Sequence, residues 1–283
     1  MDAVTEPAPA KVNLSLHVVG RRADGYHAIE SAVAFTAFGD TVTVGPAERD
    51  EVCVDGPFAD RLDGPNLVAA ARDALRARVP ASVPARIALT KRIPVAAGLG
   101  GGSADAAATL RALARLWRFG PAEAVEAELC AVGATLGADV PMCVLSRPLV
   151  ARGIGERLTP MEGAGLDGLG VVIVNPLLPL ATPAVFAELS DPDGAALPPL
   201  EGDLLAWLAA SRNDLEGPAI AALPVIRDVL GLLDDAALAR MTGSGATCYG
   251  LYRSMDAAEA AAARIGATRP DWFVTSTRFT EPR

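Results

Sequence analysis

Lysine is nearly missing from this chain. Of its 25 basic residues only Lys11 and Lys91 are lysine, and the rest are arginine. Where arginine serves as the general cation, a retained lysine marks a place that needs a compact, movable charge, which the planar guanidinium does not supply. Histidine and cysteine are scarce too, with two and four copies. Cys53, Cys130, Cys143 and Cys248 lie far apart and form no CxxC pair, which excludes a zinc-ligand pattern and a disulfide framework and fits isolated thiols in a reducing compartment. No uninterrupted apolar run approaches the ~18 residues of a membrane span. Residues 1–9 carry Asp2 and Glu6 and lack the basic start and apolar run of a signal peptide. A cytoplasmic chain with no membrane partner is expected. The formal net charge of −9 argues against a nucleic-acid partner, which would call for a basic face.

The chain does have the composition of a folded enzyme. It has 283 residues, 51% hydrophobic and 21% charged. Residues 10–19 alternate Val12, Leu14, Leu16 and Val18 with Lys11, Asn13, Ser15 and His17, which is strand periodicity and puts Lys11 and Asn13 on one face. A turn closing at Asp24-Gly25 follows, and then strands at 28–38 and 40–45. Asn66 is placed to cap a helix to about 79, and residues 85–91 form a strand. Helices are expected at 103–117 and 121–136, and short strands at 140–145, 149–152 and 170–174. Further on, helices fall at 183–189, 203–210, 213–222, 224–234 and 256–266, with strands at 247–252 and 271–279. Residues 190–203, rich in Pro, Gly and Asp, read as a loop. Interspersed strands and helices in both halves give an α+β class with two lobes.

Four segments carry chemistry. The first runs Pro94-Val95-Ala96-Ala97-Gly98-Leu99-Gly100-Gly101-Gly102-Ser103-Ala104, between a strand and a helix. Four glycines in five residues let a backbone approach a ligand, and the helix N-terminus behind them favours a phosphate. It is not a Walker A loop, because no lysine precedes Ser103, and it is not a dinucleotide fingerprint, because Ser103 stands where a glycine is required. The second runs from Pro9 through Lys11 and Asn13 to Gly25-Tyr26-His27, offering a cation, an aromatic face and a polar ring. The third is Leu136-Gly137-Ala138-Asp139-Val140-Pro141, whose carboxylate is either a helix-end residue or a base near a hydroxyl. The fourth, Met241-Thr242-Gly243-Ser244-Gly245-Ala246-Thr247, is a second glycine-rich loop.

The order of these segments resembles the GHMP small-molecule kinases. Within them it resembles the branch whose acceptor is cytidine diphosphate methylerythritol, on the strength of Arg22-Ala23-Asp24-Gly25-Tyr26-His27. Gly64-Pro65-Asn66-Leu67, Gly153-Ile154-Gly155-Glu156, Leu180-Ala181-Thr182-Pro183 with Phe186, and Asn213-Asp214-Leu215-Glu216 add to the likeness, which covers about 9–279. The resemblance implies a two-lobed GHMP kinase fold. Residues 1–155 would form an ATP-binding lobe like ribosomal protein S5 domain 2, and residues 156–283 a ferredoxin-like C-terminal lobe.

By the same resemblance, the loop from Pro94 to Ala104 would hold the phosphates of ATP, with Asn66 and Lys91 near its adenine. Lys11 and Asp139 would flank the reacting hydroxyl. Asn13, Tyr26, His27, Thr182 and Phe186 would line the acceptor site, Tyr26 and Phe186 stacking on the cytosine and His27 reading its edge. Thr242, Gly243, Ser244 and Gly245 would close over the phosphate region. Mg²⁺ would bind mainly through ATP, so no metal-ligating residue is assigned. Ala104 stands where many members carry a second serine, leaving Ser103 as the available hydroxyl. The small-molecule acceptor is the partner expected, and a homodimer is left open. Competing readings are a GHMP kinase for homoserine, mevalonate or a sugar, and a nucleotide sensor without turnover.

Overall fold

The computed structural model describes residues 2–62, 66–163 and 165–280, so Gly64 and Pro65 of the first supporting motif lie outside the described residues. Contacts divide the chain into two units. One takes the residues up to Lys11, Gly39–Val95 and Gly100–Ser146, and the other takes Val12–Phe38, Ala96–Leu99 and the chain from Arg147 onward.

The chain opens with three strands, β1 (Val4–Asn13), β2 (His17–Arg21) and β3 (His27–Pro46). The single strand expected at 10–19 is therefore two. It breaks because Leu16 takes a different partner: its N–H donates to Arg212 O at 2.9 Å and its carbonyl accepts from Asp214 N at 2.9 Å. Conversely, the two strands expected at 28–38 and 40–45 are one strand of 20 residues. The glycine that reads as a turn, Gly39, is where β1 comes closest. A Cβ there would lie 2.3 Å from Ala8 O and 2.7 Å from Pro9 Cα.

In the first unit, β5 (Ala85–Thr90) pairs antiparallel with the second half of β3, in a register from Thr41↔Thr90 to Pro46↔Ala85. A strand absent from the sequence reading, β4 (Glu51–Asp55), adds parallel to β5. Four helices follow: α1 (Leu67–Arg76), α2 (Gly101–Leu116), α3 (Ala122–Ala134) and α4 (Val140–Leu145). Helix α2 is buried from Ala104 to Leu110, and α1, α3 and α4 all contact it. Its alanines permit that close approach from several sides. Residues 140–145, expected as a strand, are α4. Its first five residues are all buried, so no helical period shows in the sequence.

In the second unit, β2 and β6 (Leu149–Gly153) pair antiparallel with the first half of β3, and β7 (Arg157–Pro160) pairs with β6. The remaining elements are β8 (Gly170–Asn175), α5 (Thr182–Ala187), α6 (Leu204–Ala210), α7 (Glu216–Ala222) and α8 (Val225–Gly231), followed by β9 (Leu238–Met241), β10 (Cys248–Tyr252), α9 (Met255–Thr268) and β11 (Phe273–Arg278). They build a four-stranded antiparallel sheet of order β11-β8-β10-β9. Every residue of β8 is buried, as its GVVIVN sequence requires of a central strand. Val172 and Val174 join Val185, Leu215, Ile226, Val229 and Ile265 in one apolar cluster. The α+β class is as expected from the sequence. Among the described residues no helix is long and apolar enough to cross a membrane.

The two glycines of β3 make opposite predictions. Gly39→Ala meets backbone at 2.3 Å, whereas Gly45→Ala meets only Ala3 Cβ at 3.8 Å. Urea unfolding will show Gly39→Ala destabilised by about 1–3 kcal/mol or more, the range for overpacking. Gly45→Ala stays within about 0.5 kcal/mol of the parent.

Candidate functional site

In the first unit the retained lysines mark two ion clusters. Lys11, near the end of β1, is buried, and its Nζ donates to Asp139 Oδ2 at 2.7 Å. Asp139 is the N-cap of α4 but its side chain makes no cap hydrogen bond, so the carboxylate is directed to Lys11 instead. It is 38% exposed while the Lys11 side chain is 9% exposed, which leaves the carboxylate open to a reactant. The pair lies against the N-terminus of α2. A Cβ added to its N-cap, Gly100, would sit 3.2 Å from Lys11 Cβ and Cε, and Gly100 has φ 64°. Both facts call for glycine there. The first N–H groups of α2, at Gly101, Gly102 and Ser103, have no partner within the helix, and the glycine N-cap offers them no side chain. Free N–H groups, a helix N-terminus and a buried ammonium together form an anion site.

Lys91 is placed otherwise than a surface cation. Its Nζ is buried and donates to Asp40 Oδ2 at 2.5 Å and Asp105 Oδ2 at 2.7 Å. Asp40 Oδ1 accepts from the N–H of Arg92 and, at 2.7 Å, from that of Ile93, which are the residues leading into the glycine-rich loop. Asp105 stands on α2, one turn beyond the loop. One cation and two carboxylates thus clamp the strand before the loop to the helix after it. Burial pushes the Asp105 carboxyl up to about 8, against the pull of Lys91 and with the help of Asp40. Burial also opposes the Lys91 ammonium, but the two carboxylates outweigh it and raise its pKa. Asp105 Oδ1 is buried without a hydrogen-bond partner. Asn66 serves as the N-cap of α1, its Oδ1 accepting from Val68 N at 2.9 Å.

Pro94, Val95 and the loop from Gly100 onward belong to the first unit, and Ala96, Ala97, Gly98 and Leu99 to the second. Ala96 has φ 56° and Gly98 φ 75°. In the second unit Ala97 O accepts from Thr247 Oγ1 at 2.5 Å, and a Cβ on Gly98 would lie 2.7 Å from Gly245 O. The two glycine-rich loops therefore touch. Asn13 N donates to Thr242 Oγ1 at 2.8 Å, and Thr182 Oγ1 pairs with Ser244 Oγ at 2.7 Å. Ser31 Oγ donates to Ser15 O, so it accepts from Asn13 Nδ2 at 2.7 Å. That fixes the Asn13 amide and leaves its Oδ1 buried without a partner. His27 and Phe186 stack with ring centroids 5.0 Å apart and planes 19° apart. Tyr26, in the turn beside His27, is 64% exposed.

The structure thus brings together Lys11, Asp139 and the start of α2 in one unit. In the other it brings together Asn13 with Thr242, Thr182 with Ser244, and His27 with Phe186. Sequence reasoning missed Asp40, Asp105 and Ser31. Asp40 carries no signal, because its partner lies 51 residues away. Asp105, two residues after Ser103 in the motif, could have been singled out for its carboxylate on an alanine-rich, buried helix.

The GHMP kinases N terminal domain matches residues 66–147 and the GHMP kinases C terminal domain matches residues 198–271. The chain belongs to the GHMP kinase family. It is 50% identical to the 4-diphosphocytidyl-2-C-methyl-D-erythritol kinase of Chelativorans sp. (strain BNC1), over 96% of this chain and 94% of that protein. It is 48% identical to the kinase of the same name from Mesorhizobium japonicum, with the same coverage. A crystal structure of 4-(cytidine 5'-diphospho)-2C-methyl-D-erythritol kinase superposes with a TM-score of 0.81 at 36% identity, covering 98% of this chain and 99% of that one. A homoserine kinase from Cytophaga hutchinsonii has a TM-score of 0.71 at 17% identity, a likeness of fold alone. The GHMP kinase fold implied by the sequence is the fold observed.

The Asp105 proton makes stability depend on pH. The unfolded carboxyl releases its proton near 3.8 and the folded one near 8, so between these values the folded state holds a proton that the unfolded state has lost. Stability from this group therefore falls as pH rises through that window. Asp105→Asn removes the linkage. Its Tm relative to the parent will rise steadily from pH 5 to pH 8.5, and a difference constant with pH contradicts the assignment.

Proposed function

We propose that the chain transfers the γ-phosphoryl group of ATP to the 2-hydroxyl of 4-diphosphocytidyl-2-C-methyl-D-erythritol, giving the 2-phosphate and ADP. The step belongs to the non-mevalonate route to isopentenyl diphosphate, and a cytoplasmic enzyme fits it. The observation that carries the chemistry is the 2.7 Å Lys11–Asp139 pair against the N-terminus of α2. Relatives named for this reaction, at about half identity across nearly the whole chain, support the acceptor. We take residues 1–155 as the ATP-binding lobe and 156–283 as the C-terminal lobe. The two family matches, 66–147 and 198–271, fall on either side of that boundary.

Phosphoryl transfer asks a protein mainly for positioning and charge stabilisation. The loop from Pro94 to Ala104 and the free N–H groups of α2 hold the ATP phosphates. Asp139 accepts or orients the proton of the acceptor hydroxyl as its oxygen bonds to the γ-phosphorus and the bond to the β-phosphate oxygen breaks. Lys11 stabilises the charge that develops beside it. Mg²⁺ bound to ATP neutralises phosphate charge. The half-buried Ser103 fits as a hydroxyl near it, and the buried methyl of Ala104 offers nothing. Asn66 and Lys91 are proposed on the adenine side, Asn66 from its half-buried position at the start of α1 and Lys91 through the clamp it forms. On the acceptor side, the orphaned Asn13 Oδ1 takes a donor from the substrate. Tyr26, His27 and Phe186 receive the cytosine, and Thr182 with Thr242 to Gly245 faces the phosphate-bearing part.

ADP release from Mg·ATP is the test, with the cytidyl acceptor run beside homoserine, mevalonate and galactose. Turnover confined to the cytidyl acceptor is expected. Turnover with another acceptor overturns the substrate assignment, and silence with all four favours a nucleotide sensor. Lys11→Ala and Asp139→Asn each lower kcat by about 10²–10⁴-fold. Full activity in both variants contradicts the roles given to them.

A further inference from the structure

The segment Asn213-Asp214-Leu215-Glu216 has so far no part in the reaction, yet it is tied closely to the second glycine-rich loop. Its backbone is fixed first. Leu16 and Asn213 form a parallel bridge, and Val18 N donates to Asp214 Oδ2 at 2.7 Å. The Asn213 side chain, 8% exposed, then uses both its donors on the loop. Nδ2 donates to Met241 O at 2.8 Å and to Gly243 O at 2.9 Å, while Oδ1 accepts from Leu215 N at 3.0 Å. Glu216 Oε2 accepts from Met241 N at 2.9 Å. Met241 is thus held at its N–H by one residue of the segment and at its carbonyl by another.

The consequence falls on the loop. Thr242 N donates to Thr247 O and Gly245 N to Thr242 O, at 2.9 and 3.1 Å, while Asn213 occupies the carbonyls of Met241 and Gly243. Among the described residues, the N–H groups of Gly243, Ser244 and Ala246 have no hydrogen-bond partner. Gly243 has φ 58° and Gly245 φ 87°, left-handed backbone of the kind found in the N–H nests that bind anions. We propose that Asn213 and Glu216 are positioning residues for catalysis, holding the carbonyls and the entry of the 242–246 loop so that its free N–H groups remain available to an anionic phosphate of the acceptor. The proposal rests on the acceptor reading given above for that loop.

Steady-state kinetics of four variants, with amide exchange in the parent and in one of them, tests it. Asn213→Ala removes both donors, and Asn213→Asp sets a carboxylate oxygen against two carbonyls. Losing two hydrogen bonds is expected to raise KM for the cytidyl acceptor about tenfold or more, with KM for ATP within roughly twofold of the parent. Glu216→Ala raises the acceptor KM as well, and Glu216→Gln, which keeps an acceptor oxygen, restores most of it. A merely structural role lowers the amount of active protein and leaves KM unchanged, and that result overturns the proposal. Amide exchange at Thr242 and Gly245, followed in the parent and in Asn213→Ala without substrate, is read independently. Faster exchange in the variant supports the tether, and equal exchange overturns it. If the parent does not turn over the cytidyl acceptor, the functional reading falls while the exchange result still decides whether Asn213 holds the loop.

Discussion

A buried ammonium between two carboxylates sets the geometry of the strand and helix that flank the first glycine-rich loop. Lys91 meets Asp40 and Asp105 where water does not reach, and the cost of burying such a cluster is offset by close geometry and by further hydrogen bonds to its carboxylates. Here the second oxygen of Asp40 is satisfied by the backbone of residues 92 and 93. Burial raises the Asp105 pKa, which favours its neutral form and lessens the charge buried with Lys91. The strand that enters the glycine-rich loop and the helix that leaves it are thereby held to one point.

On this frame the second lysine does different work. Lys11 is buried along its stem and opposes a carboxylate that remains partly open to solvent. The two lysines of this arginine-rich chain therefore divide into one that builds and one that, in the proposed mechanism, reacts. Both require an ammonium. A guanidinium at Lys91 would not fit between two carboxylates at 2.5 and 2.7 Å, and one at Lys11 would crowd the backbone of Gly100.

Much of the site was legible because phosphate binding and proton handling use residue types that stand out in sequence. Glycine crowding exposed the loop, and the scarcity of lysine exposed Lys11 and Lys91. The Tyr26-His27 pair drew notice only through the family resemblance, and nothing in the sequence signalled that His27 would stack on Phe186. What stayed hidden depended on long-range pairing. Asp40 looks like any strand-end acid until Lys91 arrives from 51 residues away. Gly39 looks like a turn until β1 is laid against it, and that alone merged two expected strands into β3. Residues 140–145 misled for the opposite reason. A short helix buried on all sides has the composition of a buried strand, and only the capping position of Asp139 separates them. The short strands β4, β7 and β9 gave too few residues for a period to show.

The most direct measurement on the central claim is the proton-coupled ³¹P spectrum of the product formed from γ-labelled ATP and the cytidyl acceptor. The 2-hydroxyl sits on a carbon that carries a methyl group and no hydrogen. The account predicts a new phosphomonoester resonance without splitting from a proton on the carbon it is joined through, beside an intact diphosphate. A monoester split by such protons, or the label recovered as inorganic phosphate, would contradict it.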